Sequence, residues 1–347
     1  MKAVVFHEHG GLEHLRYEEM PDPVPGPDDV LVRVKACALN HLDIWIRQGI
    51  PAYKIPLPHI SGADVSGIVE ALGERVSGIA RGQRVFVSPG ISCWTCEQCL
   101  AGRDNLCPTY GLVGSKIHGG YAELVVVPAR NVLSLPDTLT FAEGAAFPLV
   151  SVTAVHMLCG LADVKSGEDV LIIAAGSGVG CMAIQLAKII GARVITTVGA
   201  AEKIQKAKQL GADEVIHHSQ EPVAARVKEL THGRGVDVVI EHVGPAVWDQ
   251  CIRSLAKAGR LITCGATTGG EVMLNLRHLF SRQLTIRGSY MGTRAELVQA
   301  ARFVEQGRMR AVIDRVFPLA QARDAQEHLL SRQFFGKIVL QSSNGGS

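Results

Sequence analysis

The chain has 347 residues, of which 47% are hydrophobic and 20% charged, and its formal net charge is +2. This length and composition are typical of a globular protein with room for two domains, and they exclude a disordered chain. The small net charge gives no electrostatic reason to expect nucleic acid or a membrane surface as a partner, and no apolar run has the length of a membrane-spanning helix.

Residues 1–149 are predicted to be rich in β-strands. Short apolar or alternating runs are separated by turns that contain glycine and proline, such as PDPVPGPDD. The runs are KAVVF, DVLVRVKACAL, GIVEAL, QRVFVS and AELVVVP. The chain opens with the first of these runs and not with a signal peptide, and scattered cysteines lie in apolar contexts. We therefore expect a cytoplasmic protein with reduced thiols.

Four cysteines lie in a loop within this β-rich region, at about residues 90–110. Cys93, Cys96, Cys99 and Cys107 have the spacing C-x2-C-x2-C-x7-C. Thiolates at such a spacing bind one tetrahedral zinc, although iron–sulfur clusters also use closely spaced cysteines. We expect one zinc with a structural role, because four thiolates leave no coordination position for water or substrate.

From about residue 150 the pattern changes to alternating strands and helices. EDVLIIAAG is a predicted buried strand, and VGCMAIQLAKIIG is a helix that ends at Gly191. Further strands are ARVITTV, DEVIHH, VDVVIEHV, GRLITCGA and LTIRGS, and the helices among them are AEKIQKAKQLG, PVAARVKELT and AVWDQCIRSLAKAG. This alternation predicts an α/β fold with a doubly wound, six-stranded parallel sheet of the Rossmann type over residues 150–290. A helix and a last strand, FFGKIVLQ, follow in residues 291–347, which we expect to return to the first domain.

A glycine-rich turn joins the first strand of this sheet to its first helix. Gly176, Ser177, Gly178, Val179 and Gly180 form that turn. Small residues there let the backbone approach a pyrophosphate, whose charge lies at the helix N-terminus. The spacing is not G-x-G-x-x-G, and a tight turn without a ligand has the same composition. Its place in a six-strand α/β pattern nevertheless predicts a dinucleotide site.

The end of the second strand indicates which dinucleotide is bound. NAD enzymes usually carry an acid there, which accepts hydrogen bonds from the adenosine ribose. This chain has Val198 and Gly199 at that point, and its first acid is Glu202. The missing carboxylate removes repulsion against a 2′-phosphate, and Lys203 offers a positive charge, unless it is simply a solvated helix lysine. We therefore expect NADP(H) in preference to NAD(H).

Together these segments resemble the medium-chain dehydrogenase/reductase superfamily, which contains the zinc alcohol dehydrogenases and the quinone oxidoreductases. The resemblance runs from KAVVF through SGADVSGIVEALGERV, the cysteine loop and AAGSGVG to the closing FFGKIVL. It implies a GroES-like catalytic domain over residues 1–149, a Rossmann domain, and a homodimer or homotetramer. It also implies further cofactor contacts, which are His41, Thr153, Val243, Gly265, Ala266 and Lys337.

The chain departs from the zinc alcohol dehydrogenases at their second, catalytic zinc. The three ligand positions hold Asn40, Ala63 and, near the third, Leu149, and Leu42 replaces the proton-relay hydroxyl. A catalytic zinc normally needs three protein ligands, so we do not expect the usual zinc mechanism. A displaced metal is the alternative, and its candidates by residue type are Cys37, His41, His59 and Asp64.

The N-H-L-D run that begins at Asn40 resembles the quinone oxidoreductases and enoyl reductases, which work without catalytic zinc. We expect an NADPH-dependent oxidoreductase that transfers hydride to a quinone or an activated C=C bond of a small molecule. Asn40 is the candidate hydrogen-bond donor, Tyr53 the candidate proton donor, and Asp64 a supporting acid. Each has a structural alternative: a loop-orienting amide, a packing ring and a paired carboxylate. The other hypotheses are an alcohol or aldehyde dehydrogenase with a displaced metal or none, and a non-catalytic NADPH-binding sensor.

Overall fold

The computed structural model describes residues 1–49 and 54–342. Its strands are β1 (Lys2–Val5), β2 (Arg16–Glu19), β3 (Asp29–Ala38), β4 (Asp64–Leu72), β5 (Arg84–Val87), β6 (Gly90–Ile91), β7 (Gly111–Leu112), β8 (Leu124–Pro128), β9 (Val132–Ser134), β10 (Asp169–Ile172), β11 (Arg193–Val198), β12 (Glu214–His217), β13 (Val236–Glu241), β14 (Leu255–Thr263), β15 (Thr285–Gly288), β16 (Ile313–Pro318) and β17 (Lys337–Gln341). Its α-helices are α1 (His41–Gln48), α2 (Glu97–Leu100), α3 (Phe141–Ala146), α4 (Pro148–Val155), α5 (Gly178–Ile190), α6 (Glu202–Gln209), α7 (Val223–Leu230), α8 (Pro245–Ser254), α9 (Leu276–Ser281), α10 (Arg294–Glu305) and α11 (Ala322–Ser331). Across these two ranges, every helix is too short or too polar to cross a membrane.

The chain folds into two compact units. Unit 1 consists of Met1–Leu149 together with Thr293–Ser347, and unit 2 of Val150–Gly292. Unit 1 is therefore discontinuous in sequence, with unit 2 inserted between its two segments.

Unit 1 is built on a β-sheet in the order β16-β17-β3-β4-β5-β9, with β8 also paired to β3. Along β3, Val32 and Val34 are buried in the core and alternate with the half-buried Arg33 and Lys35. This period of two is what a strand with one buried face requires. The last strand of the unit, β17, runs antiparallel to β3, so the C-terminal segment completes a sheet that the N-terminal segment begins.

Unit 2 is an α/β unit with a six-stranded sheet in the order β12-β11-β10-β13-β14-β15. All its strand pairs are parallel, which confirms the predicted doubly wound fold. The central strand β10 carries Val170, Leu171 and Ile172 with no exposed surface. Consecutive buried residues of this kind are expected where helices cover both faces of a parallel sheet.

The local sequence pattern predicts the end of one helix correctly and the end of another wrongly. Helix α5 ends as predicted at Gly191, whose φ of 93° is a left-handed conformation that favours glycine. Helix α8 was expected to continue through AKAG, but it ends at Ser254 and β14 begins at Leu255. Leu255 is fully buried and pairs with Val236 of β13, so sheet formation overrides the helix propensity of this segment.

Candidate functional site

The four predicted zinc ligands come together in unit 1. Of the residues in ranges 1–49 and 54–342, Cys93, Cys96, Cys99 and Cys107 form the one group of three or more His, Cys, Asp or Glu side chains whose ligand atoms all lie within 4.8 Å of one another. The Sγ atoms of Cys93 and Cys99 are 4.0 Å apart. The spacings of two, two and seven residues between the cysteines thus bring the four sulfur atoms together, as predicted.

The electrostatics of the cysteine cluster fit a divalent cation. Hydrogen bonds from Thr95 and from the N–H of Cys96 lower the pKa of Cys93 to about 5. Burial and the neighbouring sulfurs raise the pKa of Cys99 to about 12. A cation at the centre is therefore what would hold all four sulfurs as thiolates. A tetrathiolate site of this kind suits a structural zinc, since it offers no open position.

A second cluster in unit 1 contains Asn40, Asp64 and Lys337. The Nζ atom of Lys337 donates to Asn40 Oδ1 at 2.6 Å and to Asp64 Oδ2 at 3.0 Å. Asn40 Nδ2 also donates to Asp64 Oδ2, at 2.9 Å. Because an ammonium group can only donate, the carbonyl of the Asn40 amide must face Lys337. The residues are 8%, 0% and 4% exposed in chain order, so the cluster is almost free of water.

The sheet of unit 1 brings these three residues together from distant parts of the sequence. Asn40 directly precedes α1, Asp64 opens β4 and Lys337 opens β17. Strands β4 and β17 lie on either side of β3, and Ala38 at the end of β3 pairs with both of them. The three side chains therefore meet where β3 ends. We call them the Asn40–Asp64–Lys337 network.

Asp43 supports this network from the first turn of α1. Its Oδ2 atom accepts hydrogen bonds from the N–H of Asn40 at 2.8 Å and from the hydroxyl of Tyr121 at 3.1 Å. Its Oδ1 atom accepts from the N–H of Gly62 at 3.2 Å. Burial raises the pKa of Asp43 to about 6, against the opposing effects of the Asn40 N–H and Lys337. Because Asp43 satisfies the backbone at the start of α1, the Asn40 side chain is left to bind Lys337 and Asp64.

The structure also shows what surrounds other positions that the sequence linked to a catalytic metal. Ala63 is buried, and the N–H of Leu149 donates to Asp64 Oδ1 at 2.8 Å. His41 lies edge-on to Trp45, and His59 Nε2 donates to the carbonyl of Gly114 at 2.9 Å. Tyr53, the candidate proton donor, lies outside the described residues.

In unit 2, the predicted dinucleotide turn follows β10 and opens α5. Ser177 caps the helix, and its Oγ accepts from the N–H of Gly180 at 2.8 Å. A Cβ atom at Gly180 would lie 2.3 Å from the carbonyl oxygen of Ala174, so a larger residue would force the backbone to move. The first turn of α5 has no acidic side chain. Its N–H groups and the helix dipole therefore suit a pyrophosphate.

The remaining candidates in unit 2 lie mostly on the same edge of the sheet as this turn. Gly199 follows β11, Val243 follows β13, and Gly265 and Ala266 follow β14, while Thr153 is buried in α4. Strands β11, β10, β13 and β14 are neighbours, so their carboxyl ends form one edge. Ligands of open α/β sheets bind at such an edge.

His242, which was not among the residues predicted from the sequence, lies at this edge between β13 and Val243. Burial lowers the pKa of this histidine, against the opposing effect of Glu241. Neither ring nitrogen has a hydrogen-bond partner within the part of the chain that the structure describes. A buried polar group without a partner is uncommon, and here it fits a ligand-facing role. The available signal was a polar residue at the carboxyl end of a buried strand.

Basic groups surround the end of β11, where the adenosine ribose is expected. The ring of His218 lies 3.3 Å from the point where a Cβ on Gly199 would stand. Ser219 Oγ donates to the carbonyl of Gly199 at 3.1 Å. Burial lowers the pKa of His218, and the neighbouring His217 and Lys203 lower it further. His218 and Ser219 follow β12, the strand beside β11, which the linear sequence did not reveal.

A Rossmann sheet with a glycine-rich turn, joined in one chain to a β-rich unit with a tetracysteine cluster, is typical of a nucleotide-dependent oxidoreductase. Residues 26–137 match the alcohol dehydrogenase GroES-like domain family, and residues 178–306 match the zinc-binding dehydrogenase family. The chain therefore belongs to the zinc-type medium-chain dehydrogenase/reductase superfamily.

Similar proteins carry more than one named activity. The chain is 33% identical to the quinone oxidoreductase of Sus scrofa, over 98% of this chain and 97% of that protein. A crystal structure of an NAD-dependent alcohol dehydrogenase is 46% identical with a TM-score of 0.95, covering 98% of this chain and 99% of that one. A cobalt- and zinc-bound thermostable alcohol dehydrogenase from Pyrobaculum aerophilum is 36% identical with a TM-score of 0.90, covering 98% and 99%. One fold thus supports several reactions, and the particular reaction must be argued from the site.

Proposed function

We propose that this oxidoreductase uses NADPH to transfer hydride to a quinone or an activated C=C bond of a small molecule, without a catalytic metal. The Asn40–Asp64–Lys337 network carries the proposal. It fills one of the positions that zinc alcohol dehydrogenases use for metal ligands with an amide, and it places a lysine ammonium beside that amide. In the same proposal the cysteine cluster holds one structural zinc.

The network can stabilise the charge that develops on the substrate. Bound NADPH supplies the hydride, and its addition to a quinone or enone leaves negative charge on a conjugated oxygen. One N–H of Asn40 Nδ2 is held by Asp64, and the other can donate to that oxygen. Lys337 binds the carbonyl of the same amide, which strengthens Asn40 as a donor.

The basic groups at the end of β11 support NADPH over NADH. Lys203 offers a positive charge to a 2′-phosphate and His218 offers a ring nitrogen beside Gly199, whereas a carboxylate at Gly199 would have been suited to a free ribose hydroxyl. NAD(H) is the alternative, since a similar structure is named an NAD-dependent alcohol dehydrogenase. Dissociation constants for NADPH and NADH, measured by fluorescence titration, decide between them. A clear NADH preference would reject this part of the proposal.

Asn40→Leu tests the proposed donor, because leucine has a similar volume but no N–H. We expect kcat for a quinone or enone to fall by roughly 10²–10³-fold, the loss typical of one oxyanion donor. The affinity for NADPH should not change. The measurements are steady-state kinetics over a panel of quinones, enones, enoyl esters of coenzyme A and aldehydes, with a separate NADPH titration. An unchanged kcat with a folded variant would assign Asn40 a structural role.

A zinc-type alcohol or aldehyde dehydrogenase is the second candidate, favoured by the 46% identity to a structure with that name. Metal analysis separates the two. The proposal expects about one zinc per chain, the number that one tetrathiolate site binds, and activity that survives mild chelation. About two zincs per chain, with aldehyde reduction that a chelator abolishes, would establish the second candidate.

A further inference from the structure

Four basic side chains line one cavity at the surface of unit 2, which is open to solvent. Lys228 on α7, Arg253 on α8, His278 on α9 and Arg282 directly after α9 border a volume of about 340 Å³, and the first two are exposed. They come from three helices that are separate in sequence. The fold, and not a local run of charge, therefore gathers them.

This cavity lies away from the edge of the sheet that carries the glycine turn. Lys228 and Arg253 occupy the last turns of their helices, and Arg282 follows the end of α9. In a parallel α/β unit the ends of such helices lead into the amino ends of the strands. Arg282 Nη2 accordingly donates to the carbonyl of Leu255, the first residue of β14. The cavity is thus distinct from the proposed cofactor site.

The positive charge of the cavity is poorly compensated. The side chain of Lys228 has no hydrogen-bond or ion-pair partner among residues 1–49 and 54–342. The carboxylate of Asp249 lies 3.5 Å from Arg253 in an exposed pair, which contributes little. Arg282 binds His278 and a carbonyl, and makes no salt bridge within those ranges. Three permanent cations therefore face one exposed carboxylate.

The hydrogen bond and the pKa of His278 reflect the positive charge around the cavity. Arg282 donates to its Nε2 at 2.7 Å, and since a guanidinium cannot accept, this nitrogen must be unprotonated. Partial burial lowers the pKa of His278, and Arg282, Arg253 and Lys228 lower it further, with Asp249 opposing them. The neutral ring keeps its Nδ1–H as a donor for a ligand.

Attraction of cations to helix C-termini explains only part of this cluster. Arg282 does satisfy a backbone carbonyl, but Lys228 and Arg253 show no such bond in the described chain. Ala224 and Ala225 line the cavity with small side chains. The N–H of Ala224 donates to the Gln250 side chain of α8 at 2.9 Å, which joins α7 to α8. The helices thus hold open a space between the cations.

We propose that this cavity is a second ligand site, which binds a phosphate or pyrophosphate group of a small phosphorylated molecule. Arginine and lysine are the side chains best suited to phosphate oxygens, and His278 adds a neutral donor. The proposal does not depend on which substrate the enzyme reduces. Its test can therefore fail or succeed independently of the proposed function.

The test is calorimetric titration of the zinc-loaded, full-length protein with inorganic pyrophosphate, in the presence of one equivalent of NADPH per chain to fill the proposed cofactor site. Lys228→Gln and Arg253→Gln should each weaken binding by about tenfold, as expected for loss of a charge-assisted bond. Ala225→Glu, which adds a negative charge to the cavity and removes no bond, should abolish it. Lys208→Gln, on α6, makes the same charge change elsewhere and should have no effect.

Proton NMR of His278 provides a readout that does not depend on activity. Bound pyrophosphate should raise the pKa of His278, because it compensates the three cations, and Ala225→Glu should prevent any further shift on addition of pyrophosphate. Parallel titrations with phosphate, sulfate and an acidic peptide identify the ligand class. The proposal is overturned if pyrophosphate does not bind, if Lys208→Gln weakens binding equally, if sulfate binds as tightly, or if only the peptide binds.

Discussion

Lys337 is a cation held almost entirely away from water. Burying a charge is costly unless it is paired and hydrogen-bonded. Lys337 meets both conditions through Asp64 and the carbonyl of Asn40. Removing one partner leaves the other charge buried alone, whereas removing both does not. A single substitution in this pair should therefore lower the free energy of unfolding much more than substitution of both residues.

Lys337→Met should lower the free energy of unfolding by about 3–5 kcal/mol, because Asp64 becomes an uncompensated buried charge. The double variant Lys337→Met/Asp64→Asn should recover most of this loss. Urea unfolding followed by circular dichroism measures both. Equal destabilisation of the single and double variants would mean that packing of the lysine stem, not charge pairing, sets its contribution.

Asp43 makes stability depend on pH in an unusual direction for a carboxyl group. Its pKa is raised from 3.8 to about 6 in the folded protein, so the folded state binds the proton more tightly than the unfolded chain does. Its contribution is therefore most favourable below a pH of about 4 and is lost as the pH rises to about 6. The shift corresponds to about 3 kcal/mol.

Asp43→Asn should remove this pH dependence. Between pH 4 and 6, wild type should lose up to about 3 kcal/mol of unfolding free energy relative to the variant. The absolute stability of the variant also changes, since an amide cannot accept all three hydrogen bonds, so the slope is the quantity to compare. Asp324→Asn, at an exposed position, is the matched control. Parallel slopes for wild type and Asp43→Asn would contradict the raised pKa.

The candidate catalytic residues were partly accessible from sequence. Asn40 and Asp64 occupy positions that the family resemblance singles out. Lys337 was assigned to the cofactor, a role that stays a prediction, and its bonds to Asn40 and Asp64 were not foreseen. Those bonds depend on the pairing of β17 with β3, which brings together residues about 300 positions apart. Local pattern carries no information on such a pairing.

At the scale of elements, the turn between β10 and α5 requires glycine for a steric reason. Gly180→Ala places a Cβ against the carbonyl of Ala174, so the turn must shift and its N–H groups lose their alignment. We expect NADPH affinity to fall by at least about tenfold, as for loss of a charge-assisted hydrogen bond, with little change in helix content. Fluorescence titration and circular dichroism measure the two quantities.

Gly270→Ala is the control for this substitution, because a Cβ there meets no atom within 4 Å. It should bind NADPH as wild type does. If both variants bind equally well, the close approach at Gly180 has no bearing on the cofactor.

The elements that sequence predicted best are those with strong local signals. Helix α5 has an apolar face, a serine cap and a terminal glycine, and the consecutive apolar residues of β10 indicate burial on both faces. The predicted end of α8 is wrong, because Leu255 pairs with β13 and does not continue the helix. Boundaries fail where a strand partner competes with helix propensity.

At the scale of the molecule, the cysteine cluster belongs to one unit and the glycine turn to the other. Cys99→Ser should release the zinc and lower the thermal midpoint, because metal binding contributes directly to folding. It should leave the NADPH dissociation constant unchanged. Metal analysis, calorimetry and nucleotide titration give the three readouts, with Cys159→Ser in unit 2 as the control. Loss of NADPH binding in Cys99→Ser alone would show that the two units depend on each other.

The insertion of unit 2 into unit 1 sets an order for the growing protein on the ribosome. Domains fold as units during synthesis. Val150–Gly292 contains every strand of its own sheet, so it is complete before β17 has been translated. The sheet of unit 1 cannot be completed until β17 has been synthesised, and Lys337 is the first residue of that strand. A nascent chain can therefore complete the unit that carries the glycine turn before the Asn40–Asp64–Lys337 network exists, and a chain that stops short of β17 never forms that network.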